Sequence, residues 1–221
     1  MTDSKMKTAI IVGSSPIYNE RTLFHNLIYE VGKPYLVAAD GGIDFFIEED
    51  ICPDIFLGDM DSCQKEEEAR RHFPELKINK VSPIKDDSDM ELGIKAAIEA
   101  GCENIYIFGG LGGKRLSHTM ANIQLIAGYT SINQKLTFIG DGINAYGLTE
   151  GESKAYTKED SMYVSVFPLN EPADITIKGL KYEFQGIMKP EGSLGVSNEA
   201  VNQEGYIRVN KGKVLVIEEV N

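Results

Sequence analysis

Between residue 7 and about residue 140, short apolar runs alternate with stretches of helical periodicity, and this pattern limits the available folds more than any other. Residues 8–12, 35–39 and 55–57 are apolar runs that each end at glycine or aspartate. Residues 23–31 carry apolar side chains at the spacing of one helix face. Buried strands that alternate with amphipathic helices are typical of a mostly parallel sheet with helices on both faces. The sequence therefore predicts an α/β domain over residues 1–141.

The pattern changes after Gly142. Short strand-like runs occupy residues 162–167, 175–177, 206–209 and 214–217, with turn residues between them and no convincing helical periodicity. Such spacing is typical of an antiparallel, all-β arrangement. We expect a second domain over residues 142–221, a small β-sandwich.

The charge balance and the cysteines limit the partners and the compartment. A net charge of −12 argues against nucleic acid and against anionic membrane surfaces, both of which require basic patches. Cys52, Cys63 and Cys102 form an odd set without a CxxC pair, which favours a reducing compartment. Since no apolar run approaches the roughly 18 residues of a membrane span, we expect a cytoplasmic protein.

Carboxylates and glycines collect where the predicted strands end. They occur in four segments: 40–42 (DGG), 58–62 (GDMDS), 85–89 (KDDSD) and 109–115 (GGLGGKR). Ligands of open α/β sheets bind beyond the carboxyl ends of the strands. We therefore expect these segments to meet at one site.

Asp59 and Asp61 are two residues apart, so their side chains can point the same way on an extended loop. An all-oxygen ligand set suits Mg²⁺ or Mn²⁺ and not Zn²⁺. A solvated acidic turn is the alternative for this pair alone, but the acidic clusters at neighbouring strand ends favour a metal site.

Ser88 and Glu91 fit a helix capping box, with Asp89 in the first turn. Capping accounts for Glu91. It does not account for the further crowding of Asp86 and Asp87, so Asp89 is also a candidate functional residue.

The glycine-rich segment 109–113 departs from both common nucleotide motifs. Phe108 stands where a Walker A motif needs its first glycine, and Arg115 stands where that motif needs Ser or Thr. A glycine turn before a helix can still bind phosphate through backbone N–H groups and a guanidinium. A purely structural βα loop is the alternative. His118, near the helix start, is more simply explained by polar packing or solvent contact than as a base.

Together these residues indicate metal-assisted phosphoryl transfer, in which carboxylates hold the metal while arginine and backbone amides bind phosphate. The sequence resembles the thiamine pyrophosphokinases in six segments. The matching segments are ADGG (39–42), GDMDS (58–62), KDDSDME (85–91), GGKRLSHTMANI (112–123), GLKY (179–182) and GVSNE (195–199). Each segment is weakly specific, but their order and spacing cover nearly the whole chain.

The resemblance implies transfer of a pyrophosphoryl group from ATP to the hydroxyl of thiamine, with Mg²⁺ and with AMP as the second product. It also implies a homodimer with thiamine at the subunit interface, between one subunit's α/β domain and the partner's β domain.

The resemblance further implies roles for particular residues. Asp59, Asp61 and Asp89 look like the Mg²⁺-linked catalytic carboxylates, with Asp89 nearest the attacking hydroxyl. The remaining positions are those expected to bind nucleotide (Asp40, Gly41, Ser88, Gly113 and Arg115) and thiamine (Lys85, Ser197 and Asn198).

The chain departs from the family pattern at two points. Ser117 occupies a position that is usually Asp, and the sequence has no tryptophan to stack on thiamine, although Tyr182 or Tyr206 could substitute. Two alternative functions remain at the sequence level: another Mg²⁺-dependent phosphoryl or nucleotidyl transferase acting on a small alcohol, and a non-enzymatic nucleotide sensor.

Overall fold

The computed structural model describes residues 7–58, 63–80 and 86–220. The chain divides into two units, one formed by residues up to 122 together with 138–141, and the other by residues 123–137 and 142 onward. The boundary between the units passes through one helix and one strand.

The α/β unit follows the predicted alternation of strands and helices. In chain order the elements are β1 (Thr8–Val12), α1 (Arg21–Val31), β2 (Tyr35–Ala39), α2 (Gly42–Glu48), β3 (Ile55–Gly58), α3 (Cys63–His72), β4 (Ile78–Lys80), α4 (Asp89–Glu99), β5 (Asn104–Phe108), α5 (Leu116–Tyr129) and β6 (Lys135–Gly140). Of α5 and β6, only residues up to 122 and from 138 onward belong to this unit. Five of the strands pair in parallel in the order β5-β1-β2-β3-β4.

Helices cover the sheet because each has one apolar face. In α4 the buried residues are Met90, Gly93, Ile94 and Ala97, which recur at the three- to four-residue spacing of a helix face. Phe24 of α1 is fully buried, and its ring lies edge-to-face with Phe45 at 4.8 Å between centroids. Burial of these aromatic and aliphatic side chains supplies the main stabilisation of the unit.

The β unit contains two antiparallel layers. Its elements are β7 (Ile143–Thr149), β8 (Ser153–Tyr156), a 3-10 helix (Lys158–Asp160), β9 (Met162–Pro168), β10 (Ala173–Lys178), β11 (Phe184–Met188), β12 (Asn198–Glu199), β13 (Gly205–Lys211) and β14 (Lys213–Val220). One layer has the order β12-β9-β14-β7 and the other β11-β10-β13-β8.

Alternating side chains join these two layers. Ile175 and Ile177 of β10 and Ile207 and Val209 of β13 are buried, whereas the residues between them are more exposed. They belong to one apolar cluster with Val164, Val166, Val214 and Val216 of the other layer. The predicted fold class, a mostly parallel α/β sheet followed by an all-β sandwich, is confirmed.

Candidate active site

A cleft of about 350 Å³ opens at the carboxyl ends of β1, β2 and β5. These three strands are neighbours in the parallel sheet, so the loops that follow them converge. The lining also includes the start of α4 and one face of α5. The described residues that line the cleft are Gly13, Ser14, Ser15, Ala39, Asp40, Ser88, Asp89, Met90, Gly109, His118, Ala121 and Asn122.

Asp40 is held in a tight turn directly after β2. Its φ of 47° lies in the left-handed region, which aspartate adopts more readily than most residues. The backbone N–H of Asp40 donates to the carbonyl of Leu57 at 2.7 Å. The hydroxyl of Ser14 donates to Oδ2 of Asp40 at 2.9 Å and accepts from the N–H of Gly41 at 3.0 Å. The Asp40 carboxylate is therefore oriented by the neighbouring loop.

Ser88 caps α4 as the sequence predicts. Its backbone is extended, and its hydroxyl accepts the N–H of Glu91 at 3.2 Å. Because Ser88 fixes the start of the helix, Asp89 occupies the first helical position and lines the cleft. Asp87 instead pairs with Lys95 at 2.7 Å. The acidic cluster therefore separates into Asp89 on the cleft and Asp87 in an ion pair.

The glycine loop after β5 is fixed by side chains of α5. Asn122 donates from Nδ2 to the carbonyl of Gly110 at 2.6 Å, and Thr119 donates from its hydroxyl to the carbonyl of Gly112 at 3.1 Å. Gly109 has a φ of 63°, and a Cβ there would lie 2.6 Å from the carbonyl oxygen of Gly13. Glycine is required at this position both by conformation and by the close approach of the β1 loop.

The remaining nucleotide-binding candidates, Gly41, Gly113 and Arg115, are not among the described residues that line the cleft. A Cβ on Gly113 would approach the Ser15 hydroxyl at 2.9 Å, and Gly41 bonds to Ser14 as described. Arg115 is exposed at the start of α5, where its carbonyl accepts the N–H of His118 at 3.0 Å.

Asp59, Asp61 and Lys85 lie outside the described residues, so their predicted roles rest on sequence position. Within residues 7–58, 63–80 and 86–220, no group of three or more His, Cys, Asp or Glu side chains is arranged to hold a metal ion.

The two thiamine-binding candidates of the β unit are adjacent in sequence but differ in environment. Ser197 is exposed, with a left-handed φ of 53°, and its N–H donates to the Ser165 hydroxyl at 3.1 Å. Asn198 is 3% exposed; its amide donates to the carbonyl of Tyr182 at 2.7 Å and accepts the N–H of Tyr182 at 3.0 Å. The Asn198 amide thus fixes the segment that carries Tyr182.

A cavity of about 250 Å³ lies beside this segment. Asn198 and Glu183 supply polar atoms to its lining, and Tyr182 and Phe184 supply aromatic surface. Tyr182 is 59% exposed, so its ring is accessible to a ligand or to another protein surface.

Four of the described lining residues have polar side chains and are not among the sites predicted from the sequence: Ser14, Ser15, His118 and Asn122. Ser14 and Ser15 come directly after a buried strand and a glycine. Other predicted site segments also come directly after strands, so this sequence pattern could have identified the two serines. His118 is exposed, in agreement with the predicted solvent contact, and it also lines the cleft.

A buried polar cluster in the β unit gave no sequence signal. Glu218 is 7% exposed and accepts the hydroxyls of Tyr146 at 2.6 Å and Tyr156 at 3.0 Å. Burial, together with the neighbouring Glu218 carboxylate, raises the pKa of both phenols, so they remain protonated donors.

Comparisons with known proteins agree with this architecture. Residues 28–138 match the family model "Thiamin pyrophosphokinase, catalytic domain", and residues 154–214 match "Thiamin pyrophosphokinase, vitamin B1 binding domain". The thiamine pyrophosphokinase of Bacillus subtilis (strain 168) is 28% identical over 215 residues, covering 96% of this chain and 98% of that protein.

Solved structures show the same fold. The crystal structure of thiamine pyrophosphokinase from Bacillus subtilis has a TM-score of 0.82 at 25% identity, covering 97% of this chain and 100% of that one. Thiamin pyrophosphokinase from Candida albicans has a TM-score of 0.78 at 18% identity, covering 98% and 90%, and this likeness concerns the fold alone.

These matches place the chain among the transferases of the kinase class. The catalytic-domain model alone spans half of the sequence, and the chain belongs to the thiamin pyrophosphokinase family. Membership confirms the predicted family, the enzyme class and the reaction, transfer of pyrophosphate from ATP to thiamine. Within the described part of the chain, no helix is long and apolar enough to cross a membrane.

Proposed function

We propose that this chain transfers the pyrophosphoryl group of ATP to thiamine in the cleft at the carboxyl ends of β1, β2 and β5. The convergence of Asp40, Ser88 and Asp89 on this one cleft carries the proposal. In the reaction, a bond forms between the thiamine hydroxyl oxygen and the β-phosphorus. The bond between the β-phosphorus and the oxygen that bridges the α- and β-phosphates breaks, and AMP leaves with that oxygen.

The glycine loop and the residues around it bind the polyphosphate. Thr119 and Asn122 hold the carbonyls of Gly112 and Gly110, which fixes the loop before nucleotide arrives. A preorganised loop stabilises the transferring phosphoryl group without reorganising during the reaction. Gly113 and Arg115 contribute a backbone N–H and a guanidinium from the same turn.

The donor set of the cleft fits Mg²⁺, because its carboxylate and hydroxyl oxygens are the ligands that this ion prefers. Asp89 would hold the ion together with Asp59 and Asp61, which are assigned by their positions in the sequence. When bound, Mg²⁺ neutralises phosphate charge. Asp40, oriented by Ser14, positions the nucleotide and its phosphates.

Asp89 lies nearest the thiamine hydroxyl in this proposal and accepts its proton. Its place at the start of α4, after the Ser88 cap, keeps the carboxylate at a helix N-terminus, where negative charge is stabilised. Proton removal increases the negative charge on the attacking oxygen as the new bond forms.

Thiamine contacts the β unit, which we assign to residues 142–221, while residues 1–141 bind ATP and the metal. The match to a vitamin B1 binding domain and the cavity beside Tyr182 support this assignment. Ser197, Asn198 and Lys85 are the proposed thiamine-binding residues, in a homodimer with the site at the subunit interface. The exposed side chains of Tyr182, Ile187 and Leu194 give the β unit apolar surface suited to such an interface.

A cytoplasmic location completes the proposal. It is supported by the thiols of Cys52 and Cys102, which are both unbonded, with Cys102 buried away from any disulfide partner in the described residues.

Asp89→Asn tests the active-site assignment, with Asp86→Asn as the matched control. Asp86 is exposed three residues before Asp89 and is absent from the described cleft lining. We expect Asp89→Asn to lower kcat by about 100-fold or more, in the range of general acid–base catalysis. Asp86→Asn should remain within about twofold of the unmodified enzyme, as surface substitutions generally do. Equal rates in the two variants would contradict the assignment.

A further inference from the structure

The proposed ATP cleft is short of positive charge. Asp40 and Asp89 line it, and none of its described lining residues is Lys or Arg. ATP carries several negative charges on its phosphates. A cation at the rim of the cleft beside Asp40 would offset part of this negative charge, in addition to the proposed contribution of Arg115.

Lys65 of α3 provides such a cation. Its ammonium pairs with Asp44 of α2 at 3.0 Å. A Cβ built on Gly41 would lie 3.2 Å from the Lys65 ammonium and 3.0 Å from the Ser14 hydroxyl. The Lys65 ammonium and the Ser14 hydroxyl therefore both lie close to one point above Gly41, and Ser14 lines the cleft.

The ion pair that holds Lys65 is weak. The Lys65 side chain is 37% exposed and that of Asp44 is 53% exposed, so water screens their attraction. Breaking an exposed pair costs little, and a long lysine stem can reorient without moving the backbone. A polyphosphate offers the ammonium more negative charge than a single carboxylate does.

We infer that Lys65 is a further ATP-binding residue, which leaves Asp44 and contacts the phosphates when nucleotide enters the cleft. This inference rests on the proposed location of the ATP site. It makes Asp44 a competitor for Lys65, so that removal of the Asp44 charge should not weaken ATP binding. A purely structural pair that ties α2 to α3 would predict the opposite, because either substitution would then loosen the same contact.

Isothermal titration in Mg²⁺ buffer can separate these two cases, with ATP and AMP as ligands. The proteins are the unmodified chain, Lys65→Met, Lys65→Arg and Asp44→Asn. We expect Lys65→Met to weaken ATP binding by about five- to tenfold, the loss of a charge-assisted contact. AMP binding should change by less than about twofold, since AMP lacks the β- and γ-phosphates. Lys65→Arg should restore most of the ATP affinity, and Asp44→Asn should leave it unchanged or tighter.

Equal weakening by Lys65→Met and Asp44→Asn would overturn the inference in favour of a structural pair. Unchanged ATP affinity in Lys65→Met would also overturn it. Both variants alter exposed side chains, and a thermal melt of each verifies the fold. The test is independent of turnover: if ATP binds but no thiamine diphosphate forms, the proposed function fails while the Lys65 result still stands. If the unmodified chain binds no ATP, both fail.

Discussion

The hydroxyl of Ser14 donates a hydrogen bond to Oδ2 of Asp40 at 2.9 Å, and in this way the loop after β1 orients a carboxylate that follows β2. The same hydroxyl accepts the N–H of Gly41, so that one side chain fixes the whole turn. We expect Ser14→Ala to raise the KM for ATP by about fivefold, the loss of a hydrogen bond to a charged group. Initial-rate kinetics measure this.

Ser14→Thr is the matched control, because threonine keeps the hydroxyl. It should retain most of the ATP affinity that Ser14→Ala loses. If both variants bind ATP like the unmodified chain, the Ser14 hydroxyl is not needed to orient the Asp40 carboxylate for ATP binding.

Thr119 holds the glycine loop without itself lining the described cleft. Thr119→Val removes the bond to the Gly112 carbonyl while conserving the shape of the side chain. We expect a rise of about three- to tenfold in the KM for ATP, with little change in the KM for thiamine. Thr119→Ser retains the hydroxyl and should behave like the unmodified enzyme. An equal loss in both variants would point to packing of the methyl group instead.

Gly42 allows α2 to approach β1 closely, since a Cβ at this position would collide with the carbonyl oxygen of Val12. We expect Gly42→Ala to destabilise the chain by about 3 kcal/mol or more, because the clash is with backbone. Gly128 is the control, since it lies in α5 and, apart from the neighbouring backbone of its own helix, no described atom lies within 4 Å of an added Cβ. Gly128→Ala should stabilise by up to about 1 kcal/mol through helix propensity. Urea unfolding of both variants measures this difference in stability. Equal unfolding midpoints for Gly42→Ala and Gly128→Ala would contradict the prediction.

The Glu218 cluster stabilises the β unit through two hydrogen bonds to one buried carboxylate. Glu218→Leu leaves the Tyr146 and Tyr156 hydroxyls without this acceptor, and we expect a loss of about 3 kcal/mol in the free energy of unfolding. Adding Tyr146→Phe and Tyr156→Phe removes those hydroxyls and should recover part of the loss. A triple variant that is no more stable than Glu218→Leu would show that packing, not hydrogen bonding, dominates here.

Glu152 makes the β7–β8 turn sensitive to pH. Burial raises the pKa of this carboxyl, but the Lys135 ammonium and two bonds from Thr149 outweigh that effect and hold the pKa below its ordinary value of 4.5. The stabilisation by the ionised form is therefore present above pH 4.5 and is lost as the pH falls through the lower pKa of the folded state.

Glu152→Gln removes this charge and its pH dependence. Because the site is partly exposed, we expect the unmodified chain to be more stable than the variant by only about 0.5 kcal/mol at neutral pH. Thermal melts across the acid range should show this difference narrowing below pH 4.5. A difference that grows on acidification would contradict the assignment.

Local sequence patterns predicted the elements that position the site. The apolar runs ending at Gly13, Asp40 and Gly58 became parallel strands, and Ser88 became a helix cap, because these features depend on residues close in sequence. Short strands such as β8, β11 and β12 lacked a distinct apolar run and were not predicted. Their pairing depends on partners elsewhere in the β unit.

The site itself was predicted less completely. Asp40, Ser88 and Asp89 meet in the cleft, but the contribution of Ser14 depends on a contact with a residue 26 positions away. Asn198 has its amide bonded to the backbone of Tyr182, a role that its position in the motif does not reveal. The Tyr146–Tyr156–Glu218 cluster joins residues far apart in sequence, and no local pattern encodes such a contact.

Product analysis of the purified chain with ATP, Mg²⁺ and thiamine tests whether this protein transfers pyrophosphate to thiamine. We expect AMP and thiamine diphosphate in equal amounts, since one bond to the β-phosphorus breaks for each one that forms. Formation of ADP with thiamine monophosphate, or no product from thiamine with any divalent metal, would contradict it.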